Sequence, residues 1–131
     1  FLLPKIESAT GMKLLPTYTY FRVYKADDIL EKHKDRPSCE ISMTVCLRKK
    51  RDEKIWAIYA DNTGYKKEHN LGEGHTARVM LEEGDAMVYK GCEVEHWREP
   101  YNEGTKLAQV FLHYVDADGP YSMCQNDEVR L

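Results

Sequence analysis

Short runs of alternating apolar and polar residues, separated by turn-forming residues, are the feature that most limits the folds open to this chain. The clearest run is Thr17–Tyr24, in which one face of an extended strand carries Tyr18, Tyr20, Arg22 and Tyr24. Further runs lie at Cys39–Leu47, Ile55–Ala60, Arg78–Leu81, Ala86–Tyr89 and Lys106–Val115. Many short strands at this spacing predict an all-β barrel or sandwich.

The segments between these runs predict how the strands are joined. Pro4–Gly11 has an amphipathic helical pattern, and its final glycine suits the position just after a helix C-terminus. Lys25–Lys32 is polar and predicts a turn or a short helical connection, whereas the basic stretch Arg48–Lys54 predicts a solvated hairpin connection. Asp61–His75 is rich in glycine, asparagine and charge, so we expect a long loop there.

Length and composition limit the class of protein. A chain of 131 residues is expected to form one domain over residues 1–131. The formal charge of -3 gives no indication of a nucleic-acid partner and does not exclude one, and no apolar run approaches the roughly 20 residues of a membrane span. The 4 cysteines form no CxxC pair, which favours reduced thiols and a cytoplasmic location. Since the chain begins at Phe1, we expect a fragment or processed product that lacks upstream elements.

A short motif, His33-Lys34-Asp35, is the first sign of chemistry. Its outer side chains are two residues apart, so an extended backbone points both to one face, where they can grip one metal. His96, in the separate segment Cys92–Arg98, is the candidate third ligand. Two histidines and one carboxylate on one face of an iron leave the opposite positions open for a cosubstrate and dioxygen. The alternative is that His33 is a surface histidine beside a solvated acid.

Lys106 follows His96 by ten residues, at the head of the last predicted strand. A lysine there can pair with a dicarboxylic acid held on the metal, through a charge-assisted bond in a partly dry pocket.

The order of these features resembles the double-stranded β-helix of the iron(II)- and 2-oxoglutarate-dependent oxygenases, above all their prolyl-hydroxylase-like branch. The similarity runs from about Leu14 to Val115, in the stretches PTYTYFRVYK, HKDRPSCEIS, EEGDAMVYKGCEVEHWREP and AQVFLHYV. It implies an all-β core with a short N-terminal helix. It also implies an oxygenase that converts 2-oxoglutarate to succinate while hydroxylating a substrate, with prolyl or other peptidyl substrates the nearest expectation.

The resemblance assigns roles to particular residues. His33, Asp35 and His96 match the iron ligands, and Lys106 matches the basic residue that binds the distal carboxylate of 2-oxoglutarate. Tyr24 falls where related hydroxylases place a tyrosine that contacts the cosubstrate. Halogenating relatives lack the carboxylate ligand, so the aspartate favours hydroxylation.

Two departures from the pattern concern the substrate and the cosubstrate. The glycine pair typical of collagen-type prolyl hydroxylases is missing, as are the helices that usually precede the barrel, so the substrate is not fixed by the resemblance. Arg98 shares a face with His96 if that segment is extended, which makes it a second candidate for the cosubstrate carboxylate, behind Lys106.

Other chemistry-bearing residues have simpler interpretations. His113 is expected to be structural and to point outside the barrel if Lys106 points in. His69 and His75 flank a loop that is either mobile or a substrate lid, and they are weaker metal candidates. Trp97 is expected to pack away from His96.

The inward face of the first strand raises its own question. Tyr18 and Tyr20 are expected to pack the interior, and Cys39 is expected to be a small buried filler. Arg22 on that face needs an anionic partner, either a substrate group or an acid such as Glu40.

Two rival functions remain open at this point. A cupin-like metal enzyme of the same barrel shape would use no 2-oxoglutarate, and Lys106 would then be incidental. A non-catalytic binding module would keep the barrel and bind metal without turnover.

Overall fold

The structure is a computed structural model that describes residues 1–102 and 104–127. The helices and strands are, in chain order, α1 Leu3–Thr10, β1 Leu14–Lys25, β2 Leu30–His33, β3 Ile41–Lys49, β4 Ile58–Asp61, α2 Thr63–Glu68, β5 Thr76–Val79, β6 Ala86–Tyr89, β7 Glu95–Arg98 and β8 Lys106–Asp116. Short 3-10 turns lie at Pro37–Cys39 and Ser122–Cys124. None of the helices among the described residues is long and apolar enough to cross a membrane.

The strands form two antiparallel sheets of four strands each. The sheet with the longer strands, called the larger sheet, has the order β1-β8-β3-β6. The other, called the smaller sheet, has the order β2-β7-β4-β5. Strands that follow one another in sequence mostly alternate between the sheets, which is the arrangement of a double-stranded β-helix. The predicted all-β fold class with a short N-terminal helix is therefore confirmed.

Helix α1 covers one end of the outer face of the larger sheet. Pro4 stands in its first turn, and Gly11 ends it in the left-handed region at φ 69°. Ile6 is buried against Ile41, Met43 and Tyr114 of the sheet beneath it. Because α1 covers their outer face and the barrel interior lies on the other side, β3 and β8 carry apolar residues on both faces.

The barrel interior is partly apolar and partly polar. One end holds a cluster of Tyr24, Cys46, Leu81, Tyr101 and Leu107. Towards the other end, several inward residues of β3 and β8 are polar and pair across the sheet. Thr44 donates to Gln109, and Ser42 bonds to His113. Burying polar side chains costs stability unless they are hydrogen-bonded, and these pairs meet that condition.

Three predicted connections differ from the structure. Helix α2 lies within the predicted loop Asp61–His75, where Thr63 donates its amide to the side chain of Asp61 at the helix start. The stretch Arg48–Lys54 does not close a hairpin, because β3 and β4 belong to different sheets. The predicted turn Lys25–Lys32 contains the start of β2. In a barrel of two sheets, local alternation shows where strands lie and does not show which sheet each one joins.

Candidate metal centre

The first two candidate ligands lie where β2 leaves its sheet. His33 is the last residue of β2, and Asp35 follows before the 3-10 turn that starts at Pro37. The amide of Asp35 donates to the carbonyl of Gly91 at 2.8 Å, and the amide of Gly91 donates to the carbonyl of Glu40 at 3.0 Å. These backbone bonds fix the position from which the Asp35 carboxylate projects.

Sheet register delivers the third candidate ligand. Strands β2 and β7 are antiparallel neighbours, and His96 stands directly opposite His33. Side chains directly opposite each other point to the same face of a sheet. The two rings accordingly lie with their centroids 4.3 Å apart.

The three side chains converge on one point. Asp35 Oδ1 lies 3.2 Å from His33 Nε2 and 3.3 Å from His96 Nε2. Among the described residues, these three form the one cluster whose ligand atoms all lie within 4.8 Å of one another. Adjacent ligands of an octahedral ion, each about 2.1 Å from the metal, are about 3.0 Å apart. The spacing therefore fits three ligands on one face of a single ion.

Both imidazoles are held in the tautomer that a metal requires. His33 Nδ1 lies 2.6 Å from the carbonyl oxygen of Glu31, and His96 Nδ1 lies 3.0 Å from that of Val94. A carbonyl only accepts, so each Nδ1 carries the proton and each Nε2 faces Asp35. Two lone pairs aimed at a carboxylate repel it unless a cation stands between them. That cation is either a proton or a metal ion.

The charges of the cluster agree with a cation site. Burial would raise the pKa of Asp35, but His33 and His96 donate hydrogen bonds to it when they also carry a proton on Nε2, and this effect outweighs burial and lowers the pKa to about 2. The hydrogen bond to Asp35 raises the pKa of His33 against the opposing effect of its burial. Asp35 is thus an anion at neutral pH and draws positive charge to its neighbours.

Gly91 is the residue that lets the carboxylate fit. A Cβ added there would overlap the carbonyl oxygen of Cys39 and Asp35 Oδ2, and would crowd Ser42 Oγ. Only glycine permits the backbone to approach the carboxylate this closely. The sequence pattern around Gly91 does not indicate this close approach.

A pocket of about 150 Å³ opens over the cluster. Its walls carry aromatic, cationic and small residues from both sheets, namely Tyr18, Tyr20, Arg22, Tyr24, Leu30, Cys39, Ile58, Tyr89, Phe111 and His113. Tyr89 packs against His96 with ring centroids 4.8 Å apart, and burial raises its pKa. The metal candidates therefore line a cavity that can admit a small molecule.

Arg98 is the unusual charge near this pocket. It lies two residues after His96 on the same face of β7 and is only 2% exposed. Its Nη1 donates to the carbonyl of Trp56 at 2.6 Å, yet Nε and Nη2 have no partner among the described residues. Burial lowers the pKa of Arg98. A buried guanidinium without an acid is costly, so its two unpaired donors are suited to an anion.

Lys106 and Tyr24 are placed differently. Lys106 is exposed, and with Val23 and Ala108 it lines a basic groove on the outer face of the larger sheet. Tyr24 is inside the pocket, 1% exposed, with its ring 5.8 Å from the Arg98 guanidinium carbon. The structure therefore places Arg98 beside Tyr24, which lines the pocket, and sets Lys106 outside it.

His113 also differs from expectation. Strand alternation does place it on the face opposite Lys106, as predicted, but that face is the inner one. His113 is 7% exposed and lines the pocket over the candidate metal ligands. Its ring packs against that of Tyr18 with centroids 4.6 Å apart. Its polar partner Ser42 carried no signal in the sequence analysis, although the alternation of β3 places Ser42, Thr44 and Cys46 on one face.

The acid that lies near Arg22 is Asp28 and not Glu40, the acid named from the sequence. Arg22 lies 4.0 Å from Asp28 and stacks over Tyr24, whereas the Glu40 carboxylate accepts from the amide of Asp116. Arg22 is partly exposed at the pocket mouth, so this weak ion pair leaves it able to meet a ligand.

The remaining candidates have structural roles. His69 ends α2 and bonds to the Tyr65 carbonyl, and neither it nor His75 belongs to a metal cluster among the described residues. Trp97 stacks on Tyr59 at 5.4 Å, away from His96. Cys39 is buried, and burial raises the pKa of its thiol to about 11, which suits a filler and not a nucleophile.

Comparisons with known proteins agree with the fold. No family model matches the sequence, and no curated protein matches it. Among solved structures, the chain is similar to "Non-heme monooxygenase, ThoJ-Ni complex", with a TM-score of 0.64 and 19% identity over 89% of this chain. It is also similar to a Pseudomonas putida prolyl-4-hydroxylase, with a TM-score of 0.58 and 15% identity over 86% of this chain.

These neighbours are longer than the present chain. It spans 50% of the monooxygenase and 60% of the prolyl hydroxylase. At such low identity the likeness establishes the barrel fold that the three proteins share and leaves the chemistry to be argued from the site.

Proposed function

We propose that this chain is an iron(II)- and 2-oxoglutarate-dependent oxygenase that hydroxylates its substrate. The observation that carries the proposal is the cluster of His33, Asp35 and His96, with both Nδ1 atoms committed to carbonyls and both Nε2 atoms facing one carboxylate. Two neutral nitrogens and one carboxylate on one face suit iron(II) and leave three positions for other ligands. The likeness in fold to a non-heme monooxygenase and a prolyl hydroxylase supports this choice.

Arg98 is the reason to add 2-oxoglutarate. Residues two apart on a strand are about 6.6 Å apart, which is close to the length of a five-carbon diacid chelated on a metal beside His96. The free Nε and Nη2 donors of Arg98 form the fork that a distal carboxylate fits. We therefore assign this carboxylate to Arg98, with Tyr24 as the wall beside it, and not to the exposed Lys106.

Bound iron and 2-oxoglutarate would supply the oxidising chemistry, in which dioxygen and 2-oxoglutarate give succinate, carbon dioxide and a hydroxylated substrate. The protein's part is to hold and orient. The three ligands fix the metal at one end of a pocket, and the Arg98 end anchors the cosubstrate. Aromatic walls limit the entry of water, which strengthens every charge interaction inside. A peptidyl substrate, prolyl in the first instance, is the substrate class we propose.

The test is an anaerobic titration of 2-oxoglutarate into the iron-loaded protein, followed by the metal-to-ligand charge-transfer absorption. Arg98→Met leaves the distal carboxylate unpaired in a dry site, at a cost of about 2 to 5 kcal/mol. This corresponds to roughly 30- to several-thousand-fold weaker binding. Arg98→Lys keeps the charge and should recover part of the affinity.

Lys106→Ala is the matched control, because it removes a cation from the outer groove, and we expect no change in affinity. Unchanged binding in Arg98→Met together with a loss in Lys106→Ala would return the role to Lys106. Iron binding without any 2-oxoglutarate binding or succinate formation in the unsubstituted protein would instead favour the metal barrel that uses no 2-oxoglutarate.

A further inference from the structure

His113 is a buried imidazole that the metal and cosubstrate sites do not use. It projects from β8 into the pocket over the candidate metal ligands. Arg98 lies near Tyr24, and Tyr24 pairs with Leu107, which also belongs to β8. Six residues of extended strand, roughly 20 Å, separate Leu107 from His113. His113 is thus remote from the Arg98 guanidinium.

Hydrogen bonding fixes which nitrogen of His113 carries the proton. His113 Nδ1 lies 2.8 Å from Ser42 Oγ, and Ser42 Oγ also lies 3.1 Å from the carbonyl oxygen of Cys39. A hydroxyl has one proton and a carbonyl can only accept, so both contacts are hydrogen bonds only when Ser42 donates to Cys39. Ser42 must then accept from His113, which places the proton on Nδ1 and leaves a lone pair on Nε2.

The surroundings keep this ring neutral. Burial lowers the pKa of His113 to about 4, with Arg36 and His96 adding to the effect and Asp35 opposing it. The Tyr18 ring packs against one side of the imidazole, and Ser42 has no exposed surface. Near neutral pH, Nε2 is therefore an uncharged acceptor held in one orientation by its neighbours.

We infer that His113 is a substrate-binding residue whose Nε2 accepts a hydrogen bond from an amide N–H or a hydroxyl group of the substrate. The assignment rests on the proposed function in treating the metal pocket as the substrate site. It narrows the substrate class to molecules that present a hydrogen-bond donor to this part of the pocket, because an acceptor such as a carboxylate or carbonyl oxygen would face a lone pair. The backbone amide of a peptide meets this requirement.

The tautomer is tested first, by imidazole ¹⁵N resonances of the zinc-loaded full chain, zinc replacing iron to avoid paramagnetic broadening. We expect His113 Nδ1 to resonate as a protonated nitrogen and Nε2 as an unprotonated one, with the signals assigned by their loss in His113→Gln. Ser42→Ala removes the acceptor and should shift the population away from this tautomer. A protonated Nε2 in the unsubstituted protein would overturn the inference.

Binding is tested next, by adding the N-acetyl amides of the twenty common amino acids to the zinc-loaded protein in the presence of 2-oxoglutarate. We expect at least one probe to move His113 Nε2 upfield while Nδ1 stays in place, and its N,N-dimethyl amide, which lacks the terminal N–H groups, to do so less. If no probe in the set moves Nε2, the inference is wrong.

Variants separate a binding role from a structural one. His113→Gln keeps an acceptor and should bind the responding probe within about 3-fold of the unsubstituted protein, whereas His113→Leu should bind it about 3- to 10-fold more weakly, as expected for one lost hydrogen bond. Equal affinity in His113→Leu would contradict the inference. Because these measurements need no turnover, a protein that fails to form succinate yet shows the expected shifts would refute the proposed function and leave this inference standing.

Discussion

Arg98 and Lys106 lie eight residues apart in the sequence and on opposite sides of the barrel wall. The guanidinium is buried, with two unpaired donors and aromatic rings around it, whereas the ammonium is exposed in a groove with other basic residues. Their charge is the same, so the difference lies in solvation. A cation in water gains little from one more anion, but a buried cation without a partner gains a great deal.

The comparison predicts that substitutions on the inner face change metal or cosubstrate binding and that those on the outer face do not. The largest effect is expected for Asp35→Ala, which removes the one anionic ligand and leaves two imidazoles facing an empty position. Metal affinity should fall by at least 100-fold, and hydroxylation should be lost with it. Isothermal titration with iron(II) under anaerobic conditions measures the affinity. Asp52→Ala, an exposed acid in the loop after β3, is the control and should bind metal normally.

Gly91→Ala is expected to have the next largest effect. The new methyl group overlaps the Cys39 carbonyl and the Asp35 carboxylate, so the loop must move and carry a ligand with it. We expect a loss of about 2 to 4 kcal/mol in the free energy of unfolding, the scale of a strong steric clash in a packed region. Urea denaturation gives the value.

Gly64→Ala is the matched control for Gly91→Ala. Gly64 lies in α2, and an added Cβ meets only Glu95 Oε1 at an ordinary 3.9 Å. Alanine is the better helix former, so stability should stay the same or rise by up to about 1 kcal/mol. Equal losses from both substitutions would show that the close approach at Gly91 has no special importance.

The convergence of His33, Asp35 and His96 was easier to predict from the sequence than the side of the barrel on which Lys106 lies, for a physical reason. The spacing in His33-Lys34-Asp35 is local, so an extended backbone brings both side chains to one face in any strand register. Which face of β8 points into the barrel is not set by the local sequence. Leu107 and Val115 point inward, but Leu112 and Tyr114 are apolar on the outer face because α1 covers them. With apolar residues on both faces, alternation defines two sets of residues and does not say which is inside.

The same limit explains what was missed at His113 and Arg98. The inward set of β8 includes Gln109 and His113, polar residues that a hydrophobic-core rule assigns to the surface. Arg98 was ranked behind Lys106 because the Glu99-Pro100 turn that follows it could have carried its side chain out towards a substrate. Only three-dimensional contacts show that its donors are unpaired, since sequence carries no information about which neighbours are absent.

Arg98→Met is expected to stabilise the protein while it weakens cosubstrate binding. The substitution replaces a desolvated charge with an apolar chain of similar length between Tyr24 and Trp56. Because the lost bond to the Trp56 carbonyl and the cation-π contacts offset part of the gain, the free energy of unfolding should rise by about 1 to 2 kcal/mol in the absence of 2-oxoglutarate. Thermal and urea denaturation check this.

Lys106→Met tests the same replacement on the outer face and should change stability by less than about 0.5 kcal/mol. A protein destabilised by Arg98→Met would mean that the guanidinium is satisfied by its surroundings. The argument that its free donors await a carboxylate would then fail, and the comparison between the two cations with it.

The smallest effect expected is on the pH dependence of stability, and it depends on His113. Its pKa is about 4 in the folded protein and near the ordinary 6.5 in the unfolded chain. Above about pH 6.5 neither state binds the proton, so His113 does not lower the free energy of unfolding. As the pH falls from 6.5 towards 4, the unfolded chain binds a proton that the folded protein does not bind, and the free energy of unfolding declines. His113→Gln removes this contribution, so its stability should fall less than that of the unsubstituted protein, by roughly 1 kcal/mol at pH 5.5. Urea denaturation at pH 7.5 and 5.5 measures both slopes.

His75→Gln, at an exposed position, should leave the slope unchanged, and a slope equally unchanged in His113→Gln would mean that His113 is not held neutral inside the pocket.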